Sequence, residues 1–151
     1  MTRLVCAAAL AALLTGLLTG LLAGCSSQEE RYCDAVKDHQ TELGRVSDEG
    51  GPDAVLDELP TMEALADKAP SDIKDEWQTL INAVRALDQA FDDAGVDRAS
   101  YDPKHPPADL SAADRAKIEA AAGDLGSDAV RSASAGIEQE ALDICKTPIG
   151  L

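Results

Sequence analysis

Aromatic and basic side chains are the scarcest groups in this 151-residue chain. It has one Trp, one Phe and two Tyr, and 13 basic residues stand against 28 acidic ones. With so few large rings, a core must be built mainly from Leu, Ile, Val and Ala, which is thin for this length and calls for support beyond packing. The shortage of Lys and Arg argues against nucleic acid binding, which needs basic surface to displace counterions. It also argues against docking of the domain surface on anionic lipid head groups. Histidine is nearly absent, with only His39 and His105. No His-Glu-x-x-His, no Gly-x-Ser-x-Gly and no phosphate-binding glycine loop occurs, and no cofactor is implied. Sustained apolar-polar alternation and an Asn-Gly hairpin turn are also missing, so nothing points to strands.

What is present begins with an apolar run. Arg3 precedes residues 4–22, which carry no charge. This is the layout of a targeting segment, to be set apart from fold reasoning. The run is nearly long enough to span a bilayer, and Gly16, Gly20 and Gly24 make overlapping G-x-x-x-G patterns, a pairing signature of membrane helices. However, the charges that follow it, Glu29 and Glu30, are acidic and form no basic stop-transfer cluster.

The run ends in Leu22-Ala23-Gly24-Cys25, which resembles the lipobox of bacterial lipoproteins: a leucine and two small residues before a cysteine. The resemblance implies cleavage before Cys25, diacylglycerol on its thiol and fatty acylation (palmitate) of the new N-terminus. Two or three acyl chains anchor stably, at ~0.8 kcal/mol per buried methylene. The expected organisation is a signal peptide at 1–24, a lipidated N-terminus and short tether at 25–30, and one helical domain at 31–151. Ser26 to Glu30, if extended, reaches at most ~18 Å, which keeps the domain close to the membrane. Once Arg3 leaves with the leader, 12 basic residues face 28 acidic ones, a net charge of −16. The acidity reads as a solvated surface, with capture of cations or basic ligands as its functional alternative.

With Cys6 removed in the leader and Cys25 lipidated, Cys33 and Cys145 remain. Export places them in an oxidising compartment, where an even count reads as a pair. A Cys33–Cys145 bond would join the start of the domain to its end and supply the support that the core needs. In the chain-entropy model such a loop is worth ~4–5 kcal/mol at most.

Helical spacing organises the rest. Tyr32, Val36, His39, Leu43 and Val46 form one stripe, predicting a helix over 29–46 that Gly50-Gly51-Pro52 breaks. A broken helix or two short ones are expected over 53–69, with Pro60 at the break. Ile73, Trp77, Leu80, Val84, Leu87, Phe91 and Ala94 predict a 24-residue helix over 71–94, ~36 Å long, terminated by Gly95. Trp77 is expected in the core. Residues 95–110 form a proline-bearing loop whose Tyr101 is expected to pack over the bundle end. Ser111 to Asp114 resembles a capping box, opening a helix to about 124 with Ile118, Ala121, Ala122 and Leu125 apolar. Ser127 caps a last helix over 128–146, whose small-residue face permits close packing. The expected fold is all-α, an antiparallel bundle of about four main helices, with the first and last brought together by the disulfide.

Taken together, the lipobox, Tyr32-Cys33-Asp34, the Ala/Asp-rich helical body and Asp143-Ile144-Cys145 resemble the small helical lipoproteins of actinobacteria, a family that brings no catalytic residues with it. The expected function is that of a non-enzymatic binding or interaction module. It would be lipid-anchored through Cys25 on the extracytoplasmic face of the cell membrane and meet an envelope protein or a small ligand. Two alternatives remain: an envelope hydrolase using carboxylates, and a cation-binding lipoprotein. For the latter, Asp92, Asp93, Asp97 and Asp102 form the densest acidic cluster, although the spacing departs from a calcium-binding EF-hand loop. His39 is expected half-buried and hydrogen-bonded, and His105 solvated.

Overall fold

The computed structural model describes residues 27–49 and 51–151, so the leader, the lipobox with Cys25, and Gly50 lie outside the described residues. The described residues are helical without strands: α1 (Gln28–Glu49), α2 (Gly51–Asp57), α3 (Leu59–Lys68), α4 (Lys74–Ala94), a 3-10 turn (Arg98–Ser100), α5 (Ala112–Leu125) and α6 (Asp128–Cys145).

α1 begins earlier than a tether ending at Glu30 requires. The Ser27 hydroxyl accepts from the Glu30 amide at 3.1 Å, and the Glu30 carboxylate accepts from the Ser27 amide at 2.8 Å. This reciprocal capping box satisfies two orphan donors of the first turn. Gln28, Glu29 and Glu30 are therefore helical, and no extended spacer occupies those positions. The α1 stripe is buried as its spacing predicts, with Tyr32, Val36 and Leu43 fully enclosed.

α4 also differs at its start. Residues 71–73 form a turn in which the Ile73 amide donates to the Pro70 carbonyl at 3.3 Å, so the helix opens at Lys74. Its 21 residues make it ~32 Å long. Its stripe of Trp77, Leu80, Ile81, Val84, Leu87 and Phe91 is buried throughout. Gly95 ends it at φ 63°, the left-handed conformation that glycine adopts without a Cβ clash.

α3, α5 and α6 all pack on α4, while α1 packs on α3 and α6. A ring of neighbours α1–α3–α4–α6 thus encloses the core, with α5 seated on α4. In α5 only Ile118 and Ala121 are buried. Ala122, expected on the same face, is exposed, because an alanine-rich helix has little apolar contrast to orient it. The small face of α6 brings it close to α4: a Cβ at Gly136 would sit 3.3 Å from Glu76 Cγ. Trp77 lies in the core and donates to the Tyr32 hydroxyl at 3.3 Å, linking α4 to α1. Glu58 is the one charged core side chain among the described residues, and Arg45 donates to its carboxylate.

The 95–110 loop is held at both ends. Arg98 pairs with Asp88 of α4 at 2.9 Å and with Asp57 of α2 at 2.7 Å. Tyr101 packs edge-on against Phe91, with ring centroids 5.2 Å apart. Cys33 and Cys145 are bonded, with their Cα atoms 4.9 Å apart, and join α1 to α6 across 112 residues.

Replacing both cysteines with alanine should lower stability by about 2–4 kcal/mol, read as a fall in the urea midpoint. An unchanged midpoint would show that the ring closes without the bond.

Candidate functional site

A cleft of about 350 Å³ opens where the six helices converge. Val46 of α1, Val55 of α2, Met62 of α3, Leu80 of α4, Leu125 of α5 and Val130 of α6 line its apolar wall. Its volume falls in the range of small-molecule sites, roughly 300–1,000 Å³. Each lining residue belongs to an ordinary helical stripe, and only the tertiary fold brings the six together. Arg131, Ser134 and Glu138 add polar groups to the wall along α6. The Arg131 guanidinium is engaged by the Gly126 carbonyl and the Asp128 carboxylate.

The chain itself reaches this cleft. α6 ends with Lys146 at φ 55°, an uncommon left-handed conformation for a residue with a Cβ. The Thr147 amide donates to the Ala141 carbonyl at 3.3 Å, and the chain turns back. Gln40 of α1 then donates to the Pro148 carbonyl at 2.8 Å. The Leu151 amide donates to Glu138 Oε1 at 3.0 Å, and Leu151 lines the cleft beside Val130 and Met62. This return was illegible in the sequence, because lysine carries no left-handed signal and Thr147-Pro148 reads only as a helix stop.

The candidate cation ligands are not assembled. Asp97 caps the 3-10 turn, accepting from the Ala99 amide at 3.1 Å. Asp102 accepts from the Lys104 amide at 2.8 Å and pairs with His105 Nδ1 at 2.7 Å. Those hydrogen bonds hold the Asp102 carboxyl below the ordinary carboxylate range, the His105 contact contributing most. Asp92 and Asp93 are exposed on the last turn of α4. Among the described residues no group of three His, Cys, Asp or Glu is placed to hold a metal ion. His105 is largely exposed, and His39 is half-buried with Nδ1 2.5 Å from Glu42.

A second, polar depression lies over the disulfide, lined by Glu29, Glu30, Asp34, Lys37 and Ile144. One of its carboxylates, Glu30, is already committed to capping α1. Nearby, Glu140 is raised above the ordinary carboxylate range by partial burial and by the charges of Asp72, Asp143 and Glu29. Tyr32 is pushed up to about 12, chiefly by burial, with the Trp77 hydrogen bond opposing and Glu140 reinforcing the shift. Burial is the leading cause in both groups, with acidic neighbours adding to it.

No helix among the described residues is long and apolar enough to cross a membrane. No family model, curated protein or solved structure matches this chain.

The Tyr32 shift sets an alkaline limit. The unfolded phenol ionises near pH 10 and the folded one at about 12. Its contribution is therefore fully present below the unfolded value and is lost as pH rises through this window. Tyr32→Phe should flatten the fall in the urea midpoint across the window. An identical fall in the variant would assign alkaline unfolding to other groups.

Proposed function

We propose that this chain is a lipid-anchored extracytoplasmic binding module whose apolar cleft takes a small ligand. The lipobox resemblance supports the anchor, with acylated Cys25 in the cell membrane. The observation that carries the binding reading is the cleft itself, a concave apolar site where six helices meet, with a few polar groups on one side. Sites of this form hold ligands by burying their apolar surface, at ~25 cal/mol per Å², while polar groups fix orientation. In this reading the ring of α1, α3, α4 and α6 is an antiparallel four-helix bundle, and the cleft is the seam that α2 and α5 complete.

The cleft meets α1 toward its C-terminal end. The helix starts three residues after Cys25, and Val46 lies 18 residues beyond its first residue Gln28, a rise of ~27 Å. The alternative chemistries have less behind them. Asp97 and Asp102 are spent on turns, and the raised carboxylate Glu140 owes its shift to burial and neighbouring acids.

Two measurements test this reading. In the native host, wild-type protein should fractionate with membranes and take up labelled palmitate, whereas Cys25→Ser should do neither. Continued labelling of Cys25→Ser would contradict lipidation at this residue. The purified domain should bind the neutral dye Nile red saturably at one site. Ala135→Trp should weaken that binding about tenfold by covering the cleft from an exposed position. Equal binding by this variant would place the dye elsewhere.

A further inference from the structure

Leu151 presents two features to the cleft: a branched apolar side chain lining its wall, and an N–H that Glu138 Oε1 accepts at 3.0 Å. The chain thus occupies its own site with an apolar group attached to a hydrogen-bond donor. The two charged residues of the wall, Arg131 and Glu138, are not equivalent. Arg131 is already matched by the carboxylate of Asp128 and by the Gly126 carbonyl. Glu138, a half-buried carboxylate, receives only a neutral amide among the described residues. The Leu151 amide supplies a hydrogen bond but leaves the carboxylate charge unneutralised; an ammonium supplies both the hydrogen bond and an opposite charge, so a cationic donor attached to an apolar chain would bind this position better than Leu151 does. The formal charge of −15 over the whole chain favours approach of the same sign of ligand.

We propose that the cleft binds a cationic amphiphile, a protonated primary amine on a short apolar chain. The alkyl chain lies along Val130, Met62 and Leu80, the ammonium donates to Glu138, and Leu151 is the resident group that the ligand displaces. This inference rests on the cleft being a binding site and adds the class of ligand and the means of release. An anionic amphiphile of the same length meets the Glu138 charge and is disfavoured, while an alcohol can donate a hydrogen bond there but brings no opposite charge.

The test is calorimetric titration of the purified domain with n-octylamine, n-octanol and octanoate at neutral pH and below their aggregation limits. Octylamine should bind about tenfold more tightly than octanol, and octanoate most weakly. Glu138→Gln should remove the octylamine advantage, so that octylamine and octanol bind this variant equally. Leu151→Ala should tighten octylamine and octanol alike, because less apolar surface must be displaced. If octylamine keeps its advantage in Glu138→Gln, the amine is held by general attraction to an acidic surface and the assignment to Glu138 falls. If octanol matches octylamine in the wild type, the cleft stands as an apolar site and the amine class falls. Unchanged affinities in Leu151→Ala would overturn the displacement. If none of the three binds, both this inference and the cleft as a ligand site are overturned.

Discussion

The bond between Cys33 and Cys145 does more here than add stability. Trp77, Phe91, Tyr32 and Tyr101 are the only aromatic rings in a largely aliphatic set of described apolar residues, and Ala121, Ala133 and Ala141 are among the few residues that α5 and α6 bury. Small side chains contribute little apolar area each, so the ring α1–α3–α4–α6 is closed by a covalent link between its first and last members. That link also fixes where the chain leaves α6. Lys146 turns left-handed immediately after Cys145, and the following segment is sent back between α1 and α6. Gln40 holds Pro148 and Glu138 holds Leu151. The segment between the disulfide and the cleft is thus held at both ends, by Cys145 and by the Glu138 contact to Leu151.

The electrostatics follow the same economy. Several acidic side chains are engaged in holding the fold: Glu30 caps α1, Asp97 caps the 3-10 turn, and Asp88 and Asp57 hold Arg98. Glu58, enclosed in the core, is matched by Arg45. Against that background Glu138 stands out as a carboxylate on the wall of an apolar cleft whose described partner is a neutral amide. The proposed amine recognition needs both halves of this arrangement. Without the apolar wall Glu138 is one surface charge among many, and without Glu138 the cleft does not distinguish head groups.

Much of the fold was legible in the sequence, for a definable reason. Wherever large apolar residues recur at three- and four-residue spacing, as in Ile73 to Phe91, burial follows the spacing. Ser111 and Ser127 cap as read, their hydroxyls accepting from Asp114 and Val130 amides. Cysteine counting identified the disulfide pair. Several features escaped. Ser27 and Glu30 had the spacing of a capping box, yet in a short polar stretch they read as a tether. Ala122 looked apolar, but alanine is too small to declare a face. The cleft and the return of Leu151 were invisible, since one depends on six separate stripes meeting and the other on a left-handed lysine. The electrostatic matching of Glu58 likewise needs the tertiary fold, because nothing local marks that glutamate as interior.

The central claim is that the cleft is a binding site in which Leu151 is a resident occupant. Methyl NOE spectroscopy of the domain during octylamine addition reads this directly. The account predicts cross-peaks between the Leu151 methyls and cleft methyls in the free protein. Those cross-peaks should fade as cross-peaks from the alkyl chain to Val130, Met62 and Leu80 appear. Leu151 cross-peaks that persist at saturation, with no alkyl contact to those three residues, would contradict it.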